Sequence, residues 1–246
     1  MENLAGIHDT AMKILESRLS LAPVALKHPF PERPVRTLGL VKLDGRVFSA
    51  EKLRRIVLFT MRPPLFLKIY STFIRPEIEY DLPVFSCEVV CMGAKKKMFL
   101  VDAHRAGGEG IRDHSAFFEK LIAVRDRYPD LLRFSKVTGK GIQSVFSNAV
   151  CQVTIPPDMD GRALSLFAEY LAAYLDLVAA AEPLEGAGLN KIKSEFDAYL
   201  KTVVDHDPGV KGNIVLFGRQ GGVERALDIF YGIETSRSQG YAQNLF

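Results

Sequence analysis

Val84-Phe85-Ser86-Cys87-Glu88-Val89-Val90-Cys91-Met92-Gly93-Ala94-Lys95-Lys96-Lys97-Met98-Phe99-Leu100-Val101-Asp102-Ala103 is the stretch on which the fold turns. Two runs rich in β-branched and aromatic residues flank a short polar segment, Met92 to Lys96, that fits a hairpin connection. Strands over 84–92 and 97–103 follow, antiparallel to one another. Working outward, similar short apolar runs predict strands near 36–42, 54–61, 65–74 and 144–155, with Asp44-Gly45 and Pro63-Pro64 as turn signals. Outside this block the period becomes helical. Helices are expected over 5–20, with Met12, Leu15 and Leu19 at helical spacing, and over 114–127. Leu164, Phe167, Leu171, Leu175 and Val178 form one later stripe, and Ile192, Phe196, Leu200 and Val203 another. Shorter helices follow at about 209–217 and 221–231. Strands in the middle with helices at both ends predict an α+β fold, one antiparallel sheet covered by helices. No linker or repeat divides the chain, so residues 1–246 are read as one domain.

The composition bounds the function. Of 246 residues, 48% are hydrophobic and 25% charged, which excludes a disordered chain. The net charge of +3, from 32 basic and 29 acidic residues, is too mild to point to nucleic acid. No run of about 18 apolar residues is evident, and Met1-Glu2-Asn3-Leu4 lacks a signal-peptide pattern, so no membrane partner and a cytoplasmic location are expected. Three cysteines, Cys87, Cys91 and Cys151, make neither a disulfide framework nor a CxxC pair. Cys87 and Cys91 share a strand face and read as small apolar side chains. No metal or bound cofactor is expected, and a redox activity would draw its electrons from outside the chain. Gly107-Gly108-Glu109-Gly110 and Gly139-Lys140-Gly141 lack the phosphate-loop pattern and read as flexible loops.

Two carboxylates stand out. Asp102 shares a strand face with Met98 and Leu100, and burial there would raise its pKa toward that of a general acid. The competing reading is a strand-end turn cap toward His104-Arg105. Asp207 lies in Asp205-His206-Asp207-Pro208, where an N-cap followed by proline at the first helical position is a complete local explanation. Lys95, Lys96 and Lys97 read first as a solvated hairpin tip, or else as a patch for an acidic protein.

At these residues the chain resembles the ferredoxin-dependent bilin reductase family. Arg75-Pro76-Glu77-Ile78-Glu79-Tyr80-Asp81-Leu82-Pro83-Val84-Phe85-Ser86-Cys87-Glu88 is similar to the family's Pro-x-x-x-Tyr-x-x-Pro-x-Phe-Gly-x-Asp segment. Asp102 lies at the place the resemblance gives to a catalytic aspartate on the strand after the hairpin. Gly141-Ile142-Gln143-Ser144-Val145-Phe146-Ser147, running on to Thr154-Ile155-Pro156, resembles a Gly-x-x-Phe-Ser strand ending in proline. Asp207-Pro208 followed by Phe217-Gly218 resembles an Asn-Asp-Pro…Phe-Gly segment. The likeness spans roughly 35–232. Here His206 replaces the Asn, Ser86 the Gly and Glu88 the Asp, and no Trp precedes the third block. Phe73 and Phe85 stand where the family's phycocyanobilin-forming branch has a Glu and a His.

The resemblance implies a three-layer α/β/α sandwich with a central, mostly antiparallel sheet. It implies a monomeric oxidoreductase that reduces biliverdin IXα to a phytobilin, through bilin radicals, with external reduced ferredoxin as electron donor. Asp102 and Asp207 would supply protons, and Phe85, Leu100, His206 and Lys211 would contact substrate. Ferredoxin would dock near Lys95, Lys96 and Lys97. A bilin-binding protein without reductase activity, and a reductase of a related open-chain tetrapyrrole such as a chlorophyll catabolite, remain as alternatives.

Overall fold

The computed structural model describes residues 3–63, 67–93, 95–105, 111–135 and 141–233. Among the described residues there are seven strands: β1 (Ala22–Pro23), β2 (Lys42–Ala50), β3 (Leu53–Arg62), β4 (Leu67–Pro76), β5 (Val84–Met92), β6 (Lys96–His104) and β7 (Cys151–Ile155). They form one sheet in sequence order, every neighbour antiparallel. The helices are α1 (Ile7–Glu16), α2 (Ser115–Asp126), α3 (Pro129–Leu132), α4 (Asp160–Ala180), α5 (Gly186–His206), α6 (Pro208–Phe217) and α7 (Arg219–Ala226), and α7 runs into a π-helical turn over Leu227–Tyr231.

Alternation divides the core in two. Phe85, Cys87 and Val89 of β5 and Phe99, Val101 and Ala103 of β6 pack against α1, α2 and α4, where Phe167, Leu171 and Tyr174 are fully buried. Val57, Phe59, Phe73 and Val84 turn to the opposite face, under Phe196, Leu200, Val203 and Val223 of α5 and α7. The result is an α+β sandwich of helices, antiparallel sheet and helices. Both apolar stripes read from the sequence face these cores. By length and composition α4 belongs to the class of helices able to cross a membrane, but its stripe is spent on the sheet.

Two expected strands are displaced. Residues 35–37 form a 3-10 turn instead of the start of a 36–42 strand, and the first long strand begins at Lys42. Asp44-Gly45 lies inside it rather than in a turn. A Cβ on Gly45 would stand 2.9 Å from the Leu58 carbonyl oxygen and 2.9 Å from the Phe30 ring, so glycine there permits close packing. The expected 144–155 strand shortens to 151–155. Ile142–Val145 is a 3-10 turn, and the Ser147 N–H goes to a side chain instead of a ladder. The first helix is also shorter than expected, 7–16. Pro64–Phe66, Ala94, Gly107–Gly110 and Gly139–Lys140 lie outside the described residues; around Ala94, the Met92–Lys96 pairing shows the expected antiparallel hairpin.

Candidate active site

Cross-strand partners share a sheet face. Ser71 of β4 pairs with Glu88 of β5, Glu88 with Leu100 of β6, and Ser86 with Asp102. Ser71, Glu88, Leu100, Asp102 and His104 therefore form one polar-and-apolar patch, on the face covered by α5 and α6. Phe85 is one residue out of phase. It is fully buried on the far face, with its ring 5.3 Å from Tyr174 and 6.2 Å from Phe167. The expectation that Phe85 contacts substrate beside Asp102 is corrected by this period-2 geometry.

Asp102 is 0% exposed. Its carboxylate accepts the Ser147 N–H at 2.9 Å and the Ser147 hydroxyl at 2.5 Å. The same hydroxyl oxygen accepts the Ala149 N–H at 3.0 Å. Both carboxylate oxygens are thus engaged in pinning the loop that leads into β7. This differs from the expected capping turn toward His104, because the partner comes from 45 residues away.

Glu88 has a different environment. It sits deep in the protein yet keeps some accessible surface. Burial pushes its pKa up to about 8; a hydrogen bond from the Ser71 hydroxyl pulls it back, and the nearby Asp207 carboxylate raises it again. In the sequence Glu88 stands only as a departure from a motif, which hides this environment. Its alternation with Val89 on a central strand is the signal that could have found it.

Asp207 answers from the helical layer. As expected, it caps α6, accepting the Gly209 N–H at 2.5 Å and the Val210 N–H at 3.2 Å, with Pro208 at the first helical position. A Cβ on Gly209 would lie 2.9 Å from the capping oxygen, so glycine leaves the cap its room. Desolvation raises the Asp207 pKa against those bonds and against the charges of His104 and Lys211. Asp207 is half-buried, and its charge is felt at Glu88, His104, Tyr199 and Tyr231. The helix cap is therefore also the electrostatic neighbour of Glu88 and His104.

A buried polar chain starts from this patch at His104. His104 Nδ1 lies 3.1 Å from the Tyr199 hydroxyl, which lies 3.3 Å from that of Tyr231. Burial lowers the His104 pKa and raises those of both tyrosines, so all three are neutral near pH 7. Arg75 donates to the Tyr231 carbonyl at 2.9 Å and stands over the Phe196 ring at 4.8 Å. His104, Tyr199, Tyr231 and Arg75 were not singled out from the sequence, since long-range packing alone brings them together.

Of the remaining expected residues, Leu100 faces the cleft side and is nearly buried. Lys211 is exposed one turn along α6, near enough for its charge to act on Asp207. His206 is exposed and rests over Gly141, where a Cβ would stand 2.7 Å from its Nδ1. Lys97 is corrected outright. It is buried and ion-paired with Asp160, with Asn3 Oδ1 accepting from it at 3.2 Å, so it belongs to no exposed docking patch. Lys95 and Lys96 are exposed.

The Glu88 environment has a measurable consequence for stability. Its folded pKa of about 8 lies above its ordinary 4.5, so between those values the folded state holds a proton that the unfolded chain releases. Stability from this group is full at low pH and is lost as pH rises through that window, by on the order of 3 kcal/mol for a partly open site. Glu88→Gln removes the dependence. Thermal melts of the two proteins should diverge from about pH 4 to about pH 9, with the variant gaining; parallel curves would refute the raised pKa.

Comparison with known proteins agrees with this architecture. The family model described as ferredoxin-dependent bilin reductase matches residues 8–220. The phycoerythrobilin:ferredoxin oxidoreductase of Gloeobacter violaceus is 24% identical over 205 residues, covering 81% of this chain and 83% of that protein. The enzyme of the same name from Nostoc punctiforme is 25% identical over 210 residues, covering 81% of each. The crystal structure of tomato phytochromobilin synthase in complex with biliverdin has the same fold. Its TM-score is 0.74 at 19% identity, over 98% of this chain and 83% of that one.

Proposed function

Since the chain belongs to the ferredoxin-dependent bilin reductase family, we propose that it reduces biliverdin IXα to a phytobilin in one-electron steps, with Glu88 and Asp207 as the proton-donating groups. The observation that carries the reading is the pair itself. Two carboxyl groups, one on the sheet and one on the helical layer, each have a pKa raised first by burial, and they lie near enough for the charge of Asp207 to act on Glu88. The tomato neighbour's complex with biliverdin and the names of the relatives supply the substrate class.

The chemistry needs such a pair. Reducing one double bond takes two electrons from ferredoxin and two protons, and a bilin accepts an electron more readily once protonated. A carboxylic acid that stays protonated near pH 7 can deliver that proton. Glu88, with its pKa near 8, is mostly protonated there. After the first electron the bilin is a radical, and a second electron with a second proton completes the reduction. Asp207 would serve the other side of the chromophore, and solvent at the cleft mouth would reprotonate both acids. His104, neutral and hydrogen-bonded to Tyr199, gives the cleft a fixed polar end. Lys211, whose charge acts on Asp207, would offer a cation to a bilin propionate. In this reading Asp102 is a structural pin and not a donor, since both its oxygens are engaged by Ser147.

Anaerobic turnover of biliverdin with reduced ferredoxin, followed by absorption and chromatography of products, tests the reading. Bleaching of the biliverdin band with a new dihydrobilin product is expected. A bound bilin whose spectrum does not change on adding reduced ferredoxin would overturn it. Asp102→Asn is expected to turn over within a few-fold of wild type. It should lose stability, because Asn offers one acceptor oxygen where Asp102 offers two, so one of the two Ser147 donors is left unsatisfied, at about 1–3 kcal/mol. A turnover loss as large as that of a Glu88 variant would restore Asp102 as the donor.

A further inference from the structure

β2, β3 and β4 place a row of cations side by side at one end of the sheet. Lys42 is the register partner of Arg62, and continuing the Met61–Ile69 pairing by one residue sets Arg62 beside Lys68. The same row continues to Cys91 and then to Lys97. Cross-strand partners share a face, and like charges directly opposite one another destabilise a sheet. Lys97 is relieved by Asp160, and Lys42 lies 3.4 Å from Asp44. Among the described residues no carboxylate forms an ion pair with Arg62 or Lys68, and both are exposed. Arg46 adds a further exposed cation to the same face of β2. The adjoining hairpin brings exposed Lys95 and Lys96 to this end, with Met92 45% exposed beside them.

A like-charge row carries a standing cost that folding alone does not explain. It suits a partner that brings negative charge. We propose that the sheet end formed by Lys42, Arg62 and Lys68, flanked by Lys95, Lys96 and Met92, is the docking surface for the acidic ferredoxin that delivers electrons to the cleft. This rests on the functional reading above. Lys68 is three residues from Ser71 along β4, about 10 Å at strand rise, so the two side chains leave opposite faces of the sheet, and Ser71 holds Glu88 on the far one. A ferredoxin seated here would therefore stand one sheet thickness from the face that carries Glu88. The cations would steer its approach, and the exposed methionine would supply an apolar contact within a polar rim.

The test is steady-state kinetics of the triple variant Lys42→Gln, Arg62→Gln, Lys68→Gln, with reduced ferredoxin and, separately, with methyl viologen radical as a small one-electron donor. All three side chains lie outside the cleft. With ferredoxin at low salt the apparent KM is expected to rise about tenfold or more, and the wild-type decline with ionic strength to flatten. With methyl viologen the rate should equal wild type, and biliverdin affinity should be unchanged. A triple variant of equal charge change at Lys120, Lys193 and Arg133 should keep the wild-type KM. An unchanged KM and salt slope in the first variant would overturn the docking surface, as would an equal rise in the second. Wild-type protein that reduces biliverdin with neither donor would overturn the functional reading, and the docking surface with it.

Discussion

Glu88→Gln is expected to lower biliverdin turnover by about 10²- to 10⁴-fold, the range typical of removing a positioned general acid, while leaving biliverdin affinity within a few-fold. The substitution is nearly isosteric and keeps an acceptor for the Ser71 hydroxyl, so the cleft retains its shape. What disappears is the transferable proton. The spectrum of bound biliverdin should report this directly, because a protonated bilin absorbs at longer wavelength than a neutral one. Wild-type complex should lose that long-wavelength character as pH rises through about 8, and the variant should lack it throughout. Glu88→Asp should retain part of the activity, since the acid survives on a shorter arm. Wild-type turnover by Glu88→Gln would remove Glu88 from the chemistry, and the burden would pass to Asp207 alone.

Lys97→Met is expected to destabilise the protein by about 3–5 kcal/mol, the usual cost of leaving a buried charge without its partner. Methionine fills the space of the lysine stem, so the loss reports charge and not volume. The partner left behind is Asp160, whose side chain also accepts the Leu4 N–H at 3.2 Å. Asp160 opens α4, and Lys97 additionally holds Asn3, so three distant parts of the chain meet at one ammonium group. A fall in melting temperature of roughly 10 °C or more is the readout for a domain of this size. Turnover with ferredoxin below the melt should keep its KM. The opposite pattern, an intact melt with a raised ferredoxin KM, would return Lys97 to the docking surface. The double variant Lys97→Met, Asp160→Leu should recover much of the lost stability, because the orphaned carboxylate goes too.

The sheet and helices were legible because their apolar residues keep strict periods. β5 and β6 are short runs rich in β-branched and aromatic residues around a polar hairpin, and α4 and α5 carry apolar stripes at helical spacing. Asp207 was legible as a cap because proline and glycine follow it directly. The failures share a different cause. Lys97 sits in a run of three lysines, and nothing local marks it as half of a buried ion pair whose acid is 63 residues away. Asp102 was correctly placed on a sheet face, but its partner Ser147 reaches it only because the chain turns before β7. Glu88 was the most informative residue to miss. Its face is set by alternation with Val89, but its pKa depends on Ser71, Asp207 and the depth of the cleft, which only the assembled layers supply.

The order of the strands carries one more consequence. Each strand of the sheet pairs with the strand beside it in the chain, from β1 through β7, with no crossover. From β2 to β6 such a meander can grow by successive hairpins, each closing a short connection onto a template already present, and short loops cost little entropy to close. During synthesis, β2 to β6 can therefore assemble before α5 and α6 leave the ribosome. The nascent sheet would then expose the apolar face that those two helices later cover. For a time it would be an open platform with Glu88 on its surface, its acidity still that of an ordinary carboxylate. The unusual acid at Glu88 comes into being only when the last quarter of the chain arrives.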